Sequence, residues 1–200
     1  IDSLETAAGL PPDMIVAAHG NMDSASCIDT GASVPVDEVR KALLLRHGSG
    51  QHGMDALRAK YGGLVKPDIV FFGEALPSRF FQLVDRDFGQ SSYAQDSPPG
   101  KAELLIVAGT SLAVHPFASL VDAGPASMSR VLVNRERVGE NASSVFDPSA
   151  NGFDFHGGGR DHFVQDDTDD AFIAIAAFLG WEEELQELVR AGNAAHENRT

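Results

Sequence analysis

The stretch Leu104-Leu-Ile-Val-Ala-Gly-Thr-Ser111 shows most directly how this chain folds. An uninterrupted apolar run over 104–108 is typical of a central parallel strand that is buried on both faces. Gly109, Thr110 and Ser111 follow at once and predict a turn. Ligands of parallel α/β sheets bind beyond the carboxyl ends of the strands. We therefore expect this turn to lie at a ligand site.

Other segments repeat the pattern of a short apolar strand that ends in a polar turn. They are Met14-Ile-Val-Ala-Ala before His19-Gly20, Asp68-Ile-Val-Phe-Phe before Gly73-Glu74, and Val131-Leu-Val-Asn before Arg135-Glu136. Helical patterns cover 3–9, 36–46, 78–88 and 169–190, and loops are expected over 89–101 and 139–163. Strands that alternate with helices predict a doubly wound α/β domain.

Residues 21–64 differ from the rest because they are polar and rich in glycine. We interpret this segment as a small module inserted in the main fold. The chain holds one cysteine, Cys27. An intrachain disulfide is therefore impossible, and a reducing compartment is expected.

The formal net charge is −14, from 15 basic and 29 acidic residues. This balance argues against binding to a nucleic-acid backbone and would suit a lysine-rich partner, although it also serves solubility alone. The longest apolar run, 171–179, is too short to cross a bilayer, so no membrane association is expected. The aspartates over 166–170 are interpreted as favourable charges at a helix N-terminus rather than metal ligands.

Taken together, the motifs resemble the sirtuin family in their order and spacing. The matching segments are Ile1-Asp2, His19-Gly20, Val65-Lys-Pro-Asp-Ile-Val-Phe-Phe-Gly-Glu74, Gly109-Thr-Ser-Leu-Ala-Val-His-Pro-Phe-Ala118, Asn134-Arg135-Glu136 and Phe178-Leu-Gly-Trp181. Each motif alone is a weak signal, but the ordered set is specific. The resemblance implies a Rossmann-like doubly wound parallel sheet. Residues 1–20 and 65–200 would form the NAD-binding domain, and 21–64 would correspond to the family's zinc-binding module.

The function implied by the resemblance is an NAD-dependent protein lysine deacetylase or deacylase. Such an enzyme transfers the acyl group from lysine to ADP-ribose and releases nicotinamide. One alternative is a catalytically inactive relative that binds acyl-lysine peptide or ADP-ribose. Another is a nucleotide-binding dehydrogenase, against which the lack of a Gly-x-Gly-x-x-Gly motif argues. Implied partners are acyl-lysine proteins such as histones or tubulin-like targets, in the cytoplasm, the nucleus or both.

The resemblance also assigns roles to individual residues. His19 would be the general base, because an imidazole can accept a proton from a ribose hydroxyl near neutral pH. The acyl-lysine peptide would bind along Val70, Phe71, Phe72, Gly73 and Glu74, with one of the two phenylalanines in the core. The NAD contacts would be Ile1, Asp2, Gly109, Thr110, Ser111, Asn134, Arg135, Glu136 and Phe172.

The sequence departs from the family pattern in two respects. Sirtuins hold a structural zinc through four cysteines, and Cys27 lies where the first is expected. By spacing, Ala32, Arg58 and Tyr61 occupy the other three positions, and His47, His52 and Asp55 have no standard ligand spacing. We therefore expect no zinc. The chain also begins at Ile1-Asp2 without the family's Gly-Ala-Gly loop, so we expect an N-terminally truncated sirtuin. If the whole polypeptide also lacks that loop, the chain by itself would be inactive.

Overall fold

The computed structural model describes residues 1–44, 46–89, 102–140, 152–157 and 159–197, without the side chains of 46–52 and 195–197. The chain divides into two compact units, Ile1–Phe81 and Gln82–Thr200. The expected separation of 21–64 from the rest stays a prediction. The expected loops over 89–101 and 139–163 lie largely outside the described residues.

The first unit is built around a small antiparallel sheet with strand order β2-β1-β3. Its elements are α1 (Leu4–Ala7), a 3₁₀ turn (Pro12–Met14), β1 (Gly20–Cys27), β2 (Ser33–Val34), α2 (Val36–Leu44), α3 (Arg46–Tyr61) and β3 (Val65–Ile69).

The core of this unit joins the sheet to the helix pair α2 and α3. Ala25, Cys27 and Val65 of the strands form one buried cluster with Val39 and Leu57 of the helices. Successive residues of a strand face opposite sides and every second residue faces the same side, which explains why Ala25 and Cys27 are both buried. Val65, the first residue of β3, therefore packs in the same cluster as residues of 21–64.

Several predictions for this unit are wrong in detail. The expected strand over 14–18 is absent, because a 3₁₀ turn follows Pro11 and the first strand begins only at Gly20. The expected strand over 68–72 starts and ends earlier, as β3. The helix α3 was not expected. Gly53 lets it approach α2, since a Cβ there would lie 2.4 Å from the carbonyl oxygen of Ala42.

The second unit contains a parallel sheet with strand order β4-β5-β6. Its elements are the C-terminal part of α4 (Ser78–Phe88), β4 (Leu104–Ala108), a 3₁₀ helix (Phe117–Asp122), β5 (Ser129–Asn134), β6 (Asp161–Gln165), α5 (Thr168–Leu179) and α6 (Glu182–Glu197). Helices that accompany a parallel sheet confirm the predicted α/β class.

The central strand of this sheet is β5 rather than β4. Leu132 and Val133 are fully buried, whereas Leu104 and Ile106 are 54% and 45% exposed. The expectation that β4 is buried on both faces is therefore wrong, because β4 is an edge strand of the described sheet. The strand β6 was not predicted. The single helix expected over 169–190 is two helices separated at Gly180, whose φ is 77°.

A buried charge cluster ties the strands β5 and β6 to the 3₁₀ helix. Arg130 is 2% exposed and forms an ion pair with Asp161 of β6 and another with Asp122, at 3.0 Å. Its guanidinium also donates to the carbonyl oxygens of Val121 and Gly152, at 2.8 and 2.9 Å. The cluster satisfies a charge that would otherwise be costly to bury.

None of the helices in the described part of the chain has both the length and the apolar character needed to span a bilayer.

Candidate functional site

A cleft of about 590 Å³ lies at the carboxyl ends of the parallel strands in the second unit. Residues that follow β4, β5 and β6 form its walls, together with the first turn of α5. The lining residues are Gly109, Thr110, Ser111, Asn134, Arg135, Glu136, Val138, Asp166, Asp167, Thr168 and Asp169. This is the place where parallel α/β sheets bind ligands.

The turn after β4 is held in shape by its own backbone and by β5. Gly109 has φ 60°, a conformation that favours glycine. The Thr110 hydroxyl accepts a hydrogen bond from the Leu112 N–H at 3.1 Å. Asn134 at the end of β5 donates from Nδ2 to the carbonyl oxygens of Thr110 and Glu136, both at 3.1 Å. Asn134 thus connects the two turns that form the cleft floor.

The third side of the cleft is the N-terminus of α5. Thr168 comes close to the turn after β4, since a Cβ on Gly109 would lie 3.4 Å from Thr168 Oγ1. Arg135 forms an ion pair with Asp167, and Gln165 donates to the Arg135 carbonyl at 3.1 Å. The hydrogen bond within this pair raises the pKa of Arg135 and lowers the pKa of Asp167. Both side chains are thereby held in their charged forms.

The charge of the cleft limits what it can bind. Glu136, Asp166 and Asp169 line it together with the paired Asp167. These carboxylates offset the positive end of the α5 dipole and disfavour an anion. They are instead good acceptors for hydroxyl groups. The cleft therefore fits a polyhydroxylated group such as a ribose better than a phosphate.

The structure brings six of the residues predicted to bind NAD to the same cleft, namely Gly109, Thr110, Ser111, Asn134, Arg135 and Glu136. Their roles stay predictions. Sequence reasoning missed Val138 and the wall formed by 166–169. The only local signal for that wall was the apolar pair Phe163-Val164 within Asp161–Gln165, which forms β6 and hence another strand end. Phe172 lies one turn further along α5, is 37% exposed and is not among the lining residues.

A second group of candidate residues lies in the first unit, where β1 meets β3. His19 precedes β1, and its carbonyl oxygen accepts a hydrogen bond from the Val70 N–H at 2.9 Å. Gly20 has φ 70°, and a Cβ there would lie 1.8 Å from the carbonyl oxygen of Asp68. Only glycine therefore allows this close approach. The structure brings the predicted catalytic histidine next to the predicted substrate segment.

The predicted substrate segment 70–74 forms a turn after β3. Glu74 Oε2 accepts a hydrogen bond from the Phe71 N–H at 2.9 Å, and the Glu74 N–H donates to the Phe71 carbonyl at 3.0 Å. Lys66 Nζ donates to the Ile69 carbonyl at 2.5 Å and to Glu74 Oε2 at 3.1 Å. The hydrogen bonds from Phe71 and then Lys66 lower the pKa of Glu74. A charged Glu74 thus stabilises the turn through its hydrogen bonds with Phe71 and Lys66.

The two phenylalanines of this turn are both exposed, Phe71 to 54% and Phe72 to 98%. The expectation that one of them is in the core is wrong, because β3 ends at Ile69 and alternation no longer applies. Gly73 has φ 88°, which suits the turn. The segment presents its aromatic rings outward rather than to the core.

Ile1 and Asp2 lie before α1 in the first unit, and both are exposed. Asp2 Oδ1 accepts a hydrogen bond from the Leu4 N–H at 3.3 Å. The NAD-binding role expected for these two residues stays a prediction.

Cys27 is a buried free thiol with 1% exposure. A hydrogen bond with Thr30 lowers the pKa of Cys27. The side chains of His47 and His52 lie outside the described residues. Among the side chains that are described, no three histidine, cysteine or acidic groups gather as a metal would require.

Comparison with known proteins decides the family. The model of the Sir2 family matches residues 1–116, which include His19 and the segment 65–74. The chain belongs to the Sir2 family.

The relatives of this Sir2-family chain bear consistent names. It is 39% identical to the NAD-dependent protein deacetylase hst2-1 of Emericella nidulans over 199 residues, which are 100% of the chain and 46% of that protein. It is 35% identical to the NAD-dependent protein deacetylase sirtuin-2 of Danio rerio over an alignment of 208 residues, which covers 97% of the chain and 48% of that protein. It is 42% identical to the NAD-dependent protein deacetylase SIR2rp1 of Trypanosoma brucei brucei over 139 residues, which cover 70% of the chain and 34% of that protein. The chain thus spans less than half the length of each of these relatives.

Proposed function

We propose that this chain supplies the ribose-binding cleft, the general base and the acyl-lysine-binding turn of an NAD-dependent protein lysine deacetylase. The observation that carries the proposal is the cleft in the second unit. Six residues that the sirtuin resemblance assigns to NAD line it together, although they come from two separate strand ends. The names of the relatives support the same activity.

The chemistry of the cleft fits one part of NAD. A ribose needs acceptors for its hydroxyl groups, and Glu136 and the aspartates of the α5 wall provide them. A pyrophosphate needs donors, and the one arginine of the lining, Arg135, is already paired with Asp167. We therefore assign the adenosine ribose to this cleft. Thr110 and Ser111 supply hydroxyl groups beside it.

When bound, NAD would supply the ribose carbon that the acyl oxygen attacks as nicotinamide leaves, and the ribose hydroxyl that finally receives the acyl group. His19 is proposed to take a proton from a ribose hydroxyl at that centre. Its backbone is fixed by the Val70 hydrogen bond, and Gly20 permits the tight turn behind it. The same strand pairing that positions the base also positions the start of the substrate turn.

The acyl-lysine peptide is proposed to add along β3 and the turn that follows. In the described sheet β3 is an edge strand, and such an edge can accept an extended peptide through backbone hydrogen bonds. This mode reads no particular sequence. Phe72, at 98% exposure, offers an apolar surface for the aliphatic stem of the lysine. The turn braced by Lys66 and Glu74 holds this surface in place.

The substrates are proposed to be acetylated proteins with lysine-rich surfaces. A net charge of −14 favours encounters with basic partners. Histones meet this description, whereas tubulin-like targets are proposed from the family resemblance alone, and residence in the cytoplasm or nucleus would give access to both.

The test is deacetylation of an acetyl-lysine peptide by the full-length gene product, followed by mass spectrometry. We expect His19→Ala to lower kcat by about 10²–10⁴-fold, the range for loss of a general base. Its affinity for NAD, measured by calorimetry, should change little. His162→Ala is the matched control, since His162 is an exposed residue of β6. Equal activity of the two variants would contradict the proposal, and so would deacetylation that proceeds without NAD.

A further inference from the structure

The turn after β1 is tied to the segment that leads into β3. The Ile28 N–H donates to the Leu64 carbonyl at 2.8 Å, and the Leu64 N–H donates to Asp29 Oδ2 at 2.9 Å. The Thr30 hydroxyl donates to the Tyr61 carbonyl at 3.2 Å. We call this set of hydrogen bonds the clasp. It joins two segments that lie more than thirty residues apart in the sequence.

The residues around the clasp are shaped to allow it. A Cβ on Gly63 would lie 2.2 Å from Asp29 Oδ2 and 2.6 Å from Asp29 Cβ, so only glycine leaves room for this carboxylate. Gly62 has φ 79°, which ends α3 and turns the chain toward β3. Thr30 Oγ1 also accepts a hydrogen bond from the Ala32 N–H at 3.3 Å. The clasp is therefore built into both segments.

The positions where the family places zinc ligands have other tasks here. The Cys27 N–H donates to the Ala32 carbonyl at 2.9 Å and closes the turn. The Arg58 carbonyl accepts from the N–H groups of 62 and 63, at 2.9 and 3.1 Å. The Tyr61 hydroxyl donates to Glu38 Oε2 at 3.1 Å, which links α3 to α2. One thiol, an alanine, an arginine and a tyrosine do not form the four-ligand set of a structural zinc site.

The interior of the module is apolar around the remaining thiol. Cys27 is 1% exposed and belongs to a buried cluster with Val34, Val39, Leu57 and Val65. Partly buried side chains of Ala32 and Tyr61 pack against this cluster. Two of the positions where the family places zinc ligands, Ala32 and Tyr61, thus contribute to the packing of the core. The thiol here behaves as a small apolar core residue.

From these contacts we propose that the 21–64 module folds without a structural metal, and that the clasp and the apolar cluster replace the zinc site. The proposal goes beyond the deacetylase function and does not depend on it. It predicts that the stability of the module depends on the clasp and the apolar cluster and does not depend on a metal ion.

The first measurement is the zinc content of the purified full-length gene product by mass spectrometry, after expression in zinc-supplemented medium. We expect a substoichiometric amount of zinc. Treatment with EDTA should leave the melting temperature and the exchange of the Leu64 amide unchanged. A structural zinc would give the opposite result, because its binding energy is folding energy.

The second measurement compares Asp29→Ala with Asp29→Asn. The alanine removes the acceptor for the Leu64 N–H, whereas asparagine keeps an oxygen in the same place. We expect Asp29→Ala to lower the melting temperature by about 2–4 °C, the shift for one lost hydrogen bond in a chain of this size. Hydrogen exchange of the Leu64 amide should accelerate in Asp29→Ala and stay close to wild type in Asp29→Asn.

Two results would overturn the proposal. One is a full equivalent of zinc whose removal by EDTA lowers the melting temperature. The other is a Leu64 amide that exchanges equally slowly in Asp29→Ala and in the wild-type protein, since the clasp would then not stabilise the module. The exchange measurement reports on the module alone and is independent of deacetylase activity.

Discussion

Arg130→Met tests the buried charge cluster of the second unit. Arg130 is 2% exposed, and its partners Asp122 and Asp161 expose only 4% and 3% of their side chains. Methionine fills a similar volume but leaves Asp122 without its cation and Asp161 with only the longer ion pair to Arg160, at 3.9 Å. Breaking a buried ion pair in this way costs about 3–5 kcal/mol. This is a large fraction of the roughly 5–15 kcal/mol that stabilises an ordinary domain.

The assay is urea and thermal unfolding of the full-length gene product, followed by circular dichroism. We expect the melting temperature to fall by roughly 6–20 °C, at about 2–4 °C for each kcal/mol. Arg160→Met is the matched control. Arg160 is 29% exposed, forms a longer ion pair with Asp161 at 3.9 Å and donates a hydrogen bond to the Pro125 carbonyl at 2.8 Å. Its loss should cost only about 1 kcal/mol.

The pH dependence gives the same reasoning a second test. Burial raises the pKa of Asp161, but hydrogen bonds from Arg130 and from the Asp154 N–H outweigh it and hold the pKa below its ordinary value of 3.8. A lowered pKa contributes stability above the unfolded value, and this contribution is lost as the pH falls through the folded value. The free energy of unfolding of the wild type should therefore decrease once the pH is lowered below about 4. In the same range, the difference in free energy of unfolding between the wild type and Arg130→Met should become smaller. Equal unfolding of Arg130→Met and Arg160→Met at neutral pH would refute the account of the cluster.

Three further substitutions follow from the two candidate sites. Gly20→Ala should cost about 2–5 kcal/mol, because the new Cβ meets the Asp68 carbonyl in a left-handed conformation; thermal unfolding measures this. Lys66→Met should raise the KM for an acetyl-lysine peptide about tenfold, because the turn over 70–74 loses its charged hydrogen-bond donor. The KM for NAD should stay unchanged. Asn134→Ala should weaken ADP-ribose binding about five- to tenfold, because both cleft turns lose a shared donor; calorimetry measures this.

Each of these substitutions has its own control. Gly31→Ala has a similar φ of 69° but nothing within 4 Å of the new Cβ, so it isolates the effect of the clash at Gly20. Lys66→Arg keeps a donor and should recover most of the peptide affinity. Asn134→Ala should leave the melting temperature closer to wild type than Arg130→Met does. Equal KM values for the peptide in Lys66→Met and the wild type would contradict the proposal that Lys66 stabilises the substrate-binding turn.

The parts of the fold that the sequence predicted are those with strong local signals. The apolar runs of β4 and β5 and the amphipathic pattern of α4 identify these elements without reference to the rest of the chain. The polar turns that follow the two strands could be placed at one edge, because the carboxyl ends of parallel strands meet there. Six cleft residues were therefore within reach of sequence reasoning.

The elements that were missed depend on distant partners. β1 is mostly polar, and its pairing with β3 across many residues makes it a strand. α3 contains glycines that disfavour a helix, but Gly53 allows the close contact with α2 that compensates. β6 is short, and Asp161 at its start is held by Arg130 of β5. Local propensity cannot report such tertiary contacts.

The aspartate wall of the cleft was missed for the same reason. Without β6, the residues 166–169 were interpreted only as the start of a helix. The structure shows that Asp167 does precede α5 and also lines the cleft. The exposure of Phe71 and Phe72 likewise depends on where β3 ends, which the pairing with β1 decides.

The central claim is that this Sir2-family chain belongs to an enzyme that couples deacetylation to the consumption of NAD. The most direct measurement is the ratio of nicotinamide released to acetyl groups removed, with the full-length gene product, NAD and an acetyl-lysine peptide. The account predicts equal amounts of both products, and acetyl removal that is about 10²–10⁴-fold slower in His19→Ala. Acetyl removal without nicotinamide release, or nicotinamide release without the peptide, would contradict it.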